Sequence, residues 1–400
     1  MESTLSASAP VMESAASASP AESSQARILA GTVPVLVFAA ACITVGIIWD
    51  ISWHVTIGRD SFWTPAHMAI YLGGTLGGLV AAWITWLATF RHRAEWEDST
   101  VGILGIRSPL GAWVTMWGGA AMLTSAPLDD WWHNAYGLDV KILSPPHALL
   151  AAGMYGVVTG AALLVAAARN RSQVEGVGRW YVILALGIQL ALASILLTEV
   201  SFPNLQHTSQ FYLASAALYP TFLAAAARYS PIRWAATRMA LVYTGLLLAM
   251  IWILPLFPAE PKLAPVFNRV THMVPPAFPL LLLIPALAID ASYLFLNRWT
   301  FRGRGWLQLT VAALAFVALF LPVQWVFSAF LISPAADSYW FAGHGRFLGY
   351  MAQRNEWQAQ FWRLERDPLT MVAVVKMGLI AWVAAGLGHA AGAFLSRLRR

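Results

Sequence analysis

The sequence predicts an all-α polytopic membrane protein of about ten transmembrane helices, with both termini cytoplasmic. Three observations carry this. Of the 400 residues, 58% are hydrophobic and 11% charged, where soluble domains carry roughly 25% charged residues. Ten apolar runs each approach twenty residues, the length a helix needs to cross a hydrocarbon core of about 30 Å. The basic residues gather in alternate links, the asymmetry that orients membrane helices.

Residues 1–26 are rich in Ser and Ala, with Glu2, Glu13 and Glu22 and no apolar run, the composition of a disordered tail. The apolar runs fall at about 28–50, 65–90, 109–128 and 146–168, a four-helix half within residues 27–170. They continue at 178–198, 209–227, 236–257, 273–296, 306–332 and 369–396, a six-helix half within 171–400. The longest link, 333–368, is rich in Trp and Arg and is expected to form an outer amphipathic cap. Even-numbered links carry Arg91, Arg93 and Arg107, then Arg169, Arg171 and Arg179, then Arg228, Arg233 and Arg238. Arg298, Arg302 and Arg304 continue that series, and Arg397, Arg399 and Arg400 end the chain. The short odd-numbered links hold only Arg59, Lys141, Lys262 and Arg269. A multi-pass protein of the cell's inner membrane follows, with the odd links extracytoplasmic.

The net charge of +6 is dispersed over these links, so the lipid bilayer is the expected partner and nucleic acid is not. The single Cys42 lies in an apolar run and offers neither a disulfide framework nor a thiolate metal site.

The chemistry concentrates in two odd links. The first stretch, Asp50 to His67, reads DISWHVTIGRDSFWTPAH. Asp50 and His54 are four apart, so on a helix they share one face. Thr64-Pro65 signals a new helix start, and His67 follows it. Two helix ends can therefore present one carboxylate and two imidazoles to one point, a three-ligand set with an open position. The second stretch, Asp129 to His147, repeats the layout as DDWWHNAYGLDVKILSPPH. Asp129 and His133 are again four apart, and His147 again follows a proline link, one residue later than in the first copy. Asp60 and Arg59 are expected beside the first ligand set, with Asp60 accepting from a ligand imidazole, and Asp139 occupies the corresponding place in the second. The plainer reading makes each cluster a hydrogen-bonded brace between helix ends.

Fainter signals accompany them. Seven of the nine histidines fall on the outer side. Glu199, Asn204 and His207 form a third outer group, Asn268 and His272 a partial echo, and both are expected to be structural. Asp290, inside the eighth run, admits a proton-relay reading, with a paired acid preferred.

The first stretch resembles the metal-binding signature of the C subunit of copper membrane monooxygenases, the particulate methane, ammonia and short-alkane enzymes. The resemblance rests on Asp50, Trp53, His54, Arg59, Asp60, Phe62, Thr64, Pro65 and His67. It implies that Asp50, His54 and His67 ligate a metal. The second stretch is similar to that subunit's second site, built in the family from Asn, His and His; here Asp129 takes the Asn position. That carboxylate adds charge and a harder ligand. The resemblance covers residues 45–150, and the chain is longer than the usual C subunit. It implies partner A- and B-like subunits and a homo-trimeric assembly.

The expected function is thus a copper-binding membrane subunit of a monooxygenase-like complex, oxidising a small apolar substrate or ammonia with O2. The metal is copper by the resemblance, while the carboxylate and imidazole pair also suits zinc. The alternative is a non-catalytic membrane protein that binds or moves metal ions; a third reading is a structural subunit.

Overall fold

The computed structural model describes residues 20–58, 62–137, 144–171, 178–229, 232–262, 266–343, 348–350, 363–365, 367 and 369–400. Arg59, Asp60, Asp139, His344 and most of the second half of link 333–368 lie outside the described residues.

Helices dominate. They are α1 (Pro20–Thr56), α2 (Pro65–Trp86), α3 (Leu110–Tyr136), α4 (Pro145–Asn170) and α5 (Gly178–Ser194), then α6 (Ser209–Arg228), α7 (Ala235–Ile253), α8 (Leu283–Leu296), α9 (Arg304–Leu331) and α10 (Met371–Arg397). Among the described residues, seven helical segments are long and apolar enough to cross a membrane. The three others fall short for different reasons. α3 and α6 have the length, at 27 and 20 residues, but α3 spreads Gly, Trp, Thr and Ser through its apolar sequence, and α6 mixes in Ser, Gln and Tyr. α8 has only 14 residues.

α8 corrects the expected run at 273–296. Residues 273–281 form neither helix nor strand, and the helix begins only at Leu283. Pro275, Pro276 and Pro279 remove backbone donors and bias the residues before them away from the helical region. The freed backbone groups find buried side-chain partners: Leu280 N–H donates to the Tyr243 hydroxyl at 3.2 Å and Leu281 N–H to Gln324 Oε1 at 2.9 Å. Irregular backbone at membrane depth is tolerated when protein groups satisfy it in this way.

The expected tail is corrected too. α1 begins at Pro20, inside residues 1–26, and Gln25 is buried, its amide donating to Ser99 Oγ at 2.7 Å. Between α2 and α3 the chain forms a small antiparallel hairpin, β1 (Val101–Ile103) and β2 (Ile106–Ser108). Its turn residues Leu104 and Gly105 both have positive φ, as a tight two-residue hairpin turn demands.

α1 to α4 pack in sequence, with α1 also against α4 and α5. The α3–α4 contact is made by small residues that let backbones approach closely. A Cβ on Gly118 would lie 2.5 Å from the Val157 backbone nitrogen, so nothing larger fits. In the second half, α10 packs on α6 and α9, and α7 on α5 and α8. The two halves share one buried core.

Candidate metal centres

Both triads assemble at one end of the four-helix half. Met122 of α3 faces Gly74 of α2 and Gly153 of α4. His67 lies seven residues from Gly74, Asp129 seven from Met122 and His147 six from Gly153. At 1.5 Å per residue these side chains rise about 10 Å from that contact, to one level.

The helix starts place the second imidazole of each set. Thr64 caps α2 in extended geometry, Pro65 is the first helical residue, and Thr64 Oγ1 accepts from His67 N–H at 3.3 Å. Ser144 does the same for α4: Pro145 opens the helix, and Ser144 Oγ accepts from His147 N–H at 3.3 Å. Each histidine therefore sits at the third helical position beneath a hydroxyl cap. The one-residue offset between the two sequence copies falls in the preceding link, leaving the caps equivalent.

The carboxylates sit between their imidazoles in the same way. Asp129 Oδ1 lies 3.3 Å from His147 Nε2, and Asp129 Oδ2 lies 3.3 Å from His133 Nε2. One ligand atom from each of these three residues falls within 4.8 Å of the others. Asp50 Oδ1 lies 3.2 Å from His67 Nε2, and Asp50 Oδ2 lies 3.8 Å from His54 Nε2. Tetrahedral ligands about 2.1 Å from one ion stand roughly 3.4 Å apart. The second triad matches that spacing on both edges; the first matches on one, and His54 stands slightly out.

The donor set fits a divalent transition metal. Asp50 Oδ1 and Asp129 Oδ1 are buried and, among the described residues, accept no hydrogen bond. His133 Nδ1 lies 3.4 Å from the Gly137 carbonyl, and a carbonyl only accepts, so Nδ1 carries the proton. His133 Nε2 then faces Asp129 either with a second proton or with a lone pair free to hold a cation. Asp130 points elsewhere, taking a 3.4 Å contact from the Asn134 amide.

Surroundings distinguish the two centres. The Asp50 side chain is 13% exposed and that of Asp129 33%. A strap from the six-helix half also wraps the end of α1. Ser52 Oγ donates to the Val274 carbonyl at 2.5 Å, and Val274 N–H donates to Thr56 Oγ1 at 2.9 Å. Lys262 N–H reaches the Ile57 carbonyl at 2.9 Å and Tyr350 N–H the Val55 carbonyl at 3.0 Å. The carbonyls left open at the helix end are thus closed from the other half. The only sequence trace of this clamp is Ser52 and Thr56, four apart on the last turns of α1.

Of the fainter candidates, His207, Asn204, Asn268 and Asp290 make bracing contacts. His207 stacks on Trp325 at 3.8 Å between ring centres, and its Nε2 meets the Trp325 carbonyl at 2.8 Å. The Asn204 carbonyl accepts from Glu365 N–H, and the Asn268 amide donates to the Leu348 carbonyl. The His272 backbone bridges to Pro258. Asp290 is buried and caps the start of α7, accepting from the Ala236 and Thr237 amides and from Thr237 Oγ1 at 3.3, 2.7 and 2.7 Å. A carboxylate at a helix N-terminus is stabilised by the helix dipole and by those donors.

No protein-family model, curated protein or solved structure matches the chain.

Proposed function

We propose that the chain is a copper-binding integral membrane subunit of a monooxygenase-like complex that oxidises an apolar substrate or ammonia with O2. The observation that carries the reading is the duplicated convergence of one carboxylate and two imidazoles at a single level of the bundle. Asp50, His54 and His67 would hold one ion, and Asp129, His133 and His147 a second. Bound copper would supply reversible one-electron chemistry and a place for O2; zinc would supply neither. Insertion of one oxygen atom into a substrate sends the other to water, so it needs two electrons and two protons from an external reductant.

In this reading all ten runs span the cell's inner membrane, the termini are cytoplasmic and the triads face outward, as the arginine pattern favours. A- and B-like subunits in a trimeric assembly follow from the resemblance of residues 45–150. Membrane metal transport has less support, because Asp290 is engaged as a helix cap.

The test is product analysis on the assembly isolated under mild detergent. It is loaded with copper and given a reductant, isotopically labelled dioxygen and either an alkane or ammonia. Labelled oxygen in the product, lost in the His54→Ala/His67→Ala variant, is expected. Bound metal with no labelled product would leave a non-catalytic metal-binding protein.

A further inference from the structure

The membrane face of the first half holds an apolar groove between α2 and α3, with a volume of about 410 Å³. Small residues make its floor, where Gly74 and Gly78 of α2 face Gly119 of α3. Leu79 and Leu123 form its outer walls and are 64% and 77% exposed. Its upper end is aromatic: Phe62 and Tyr71 pack with ring centres 5.0 Å apart.

The groove runs up to both candidate metal centres. Tyr71 lies one turn below His67, and their rings are 5.8 Å apart. Ala126, which also lines the groove, lies one turn below Asp129 on the same helix face. From Tyr71 to Leu79 on α2, and from Ala126 to Met116 on α3, the groove extends about 12–15 Å at 1.5 Å per residue. Among the described residues, no charged side chain lines it. Its length and apolar walls suit an uncharged chain.

We propose that this groove binds an extended, uncharged apolar molecule of medium alkyl-chain size, with one end against Tyr71 beside the ligand His67. The inference rests on the oxidative reading above and sharpens its substrate class. A molecule the size of ammonia or methane, comparable with water at roughly 30 Å³, would leave such a groove almost empty. The volume instead falls within the roughly 300–1,000 Å³ of organic-ligand pockets. The floor glycines let α2 and α3 close beneath it: a Cβ on Gly119 would lie 3.0 Å from the Gly78 Cα.

The test is photolabelling of metal-loaded protein in nanodiscs with a decyl diazirine, mapped by peptide mass spectrometry, with decane as competitor. Label is expected to concentrate on the groove segments of α2 and α3 and to fall with decane. It is also expected to be lost in Ala120→Phe, which adds a ring at an exposed groove position and leaves metal content unchanged. Ala126→Phe serves as a second filling variant, closing the end nearest Asp129. Label spread equally over exposed positions of α9 and α10 such as Leu314 and Val375 would show bilayer partition only, and would overturn the proposal. Label indifferent to both substitutions would do the same. Failure of wild type to bind metal would overturn the oxidative reading separately, because labelling is read without turnover.

Discussion

The caps that hold His67 and His147 give the sharpest local test. Ser144→Ala removes the hydroxyl that accepts from His147 N–H at 3.3 Å. Losing such a cap costs typically about 1 kcal/mol, within a range of 0.5–2. Pro145 and Pro146 leave the first turn of α4 few other donors, so the cost falls on the turn that carries the ligand. If metal binding at the second centre requires that turn to be formed, about 1 kcal/mol weakens its affinity roughly fivefold. The first centre, with its own cap on Thr64, should keep its affinity. The assay is a competitive chelator titration on protein in nanodiscs that resolves the two binding events. Ser144→Thr restores the hydroxyl, as the first copy does naturally, and should restore affinity. Equal weakening at both centres, or none at either, would refute the account of how α4 positions His147.

Two further outcomes follow from other contacts. Ser52→Ala with Thr56→Val breaks both bonds to Val274 and strands its buried backbone groups; destabilisation of about 1–3 kcal/mol per unsatisfied group is expected in thermal unfolding, with metal release speeded at the first centre only. Asp290→Ala strips three hydrogen bonds from the start of α7 and should lower the unfolding midpoint without changing bound metal, whereas a proton-relay acid would leave the midpoint unchanged.

That each Asp would meet two His was legible because helix chemistry is local. A four-residue spacing places Asp and His on one face, and a hydroxyl followed by proline marks a helix start with His at its third position. The copy at Asp129 to His147 made chance a poor explanation. What escaped the sequence depends on distant partners. The clamp on α1 joins residues 222 apart, and no periodicity announces it. The groove comes from two glycine-bearing faces meeting, which neither helix reveals alone. Nor did the Asp290 side chain signal its partner, the amides of Ala236 and Thr237. Hydropathy overextends the eighth run because it stays high through Pro275, Pro276 and Pro279 although a helix cannot continue there. Composition hides the start of the first helix, because residues 20–26 look like a tail while Gln25 finds Ser99 across the fold.

The most direct test of the central claim is metal content per chain, by mass spectrometry on copper-loaded protein in nanodiscs. Wild type is compared with His54→Ala/His67→Ala and with His133→Ala/His147→Ala. The account expects a distinct bound copper to disappear with each pair while the other remains. Wild type without bound copper or zinc after loading would contradict it, leaving both Asp–His–His clusters as braces between helix ends.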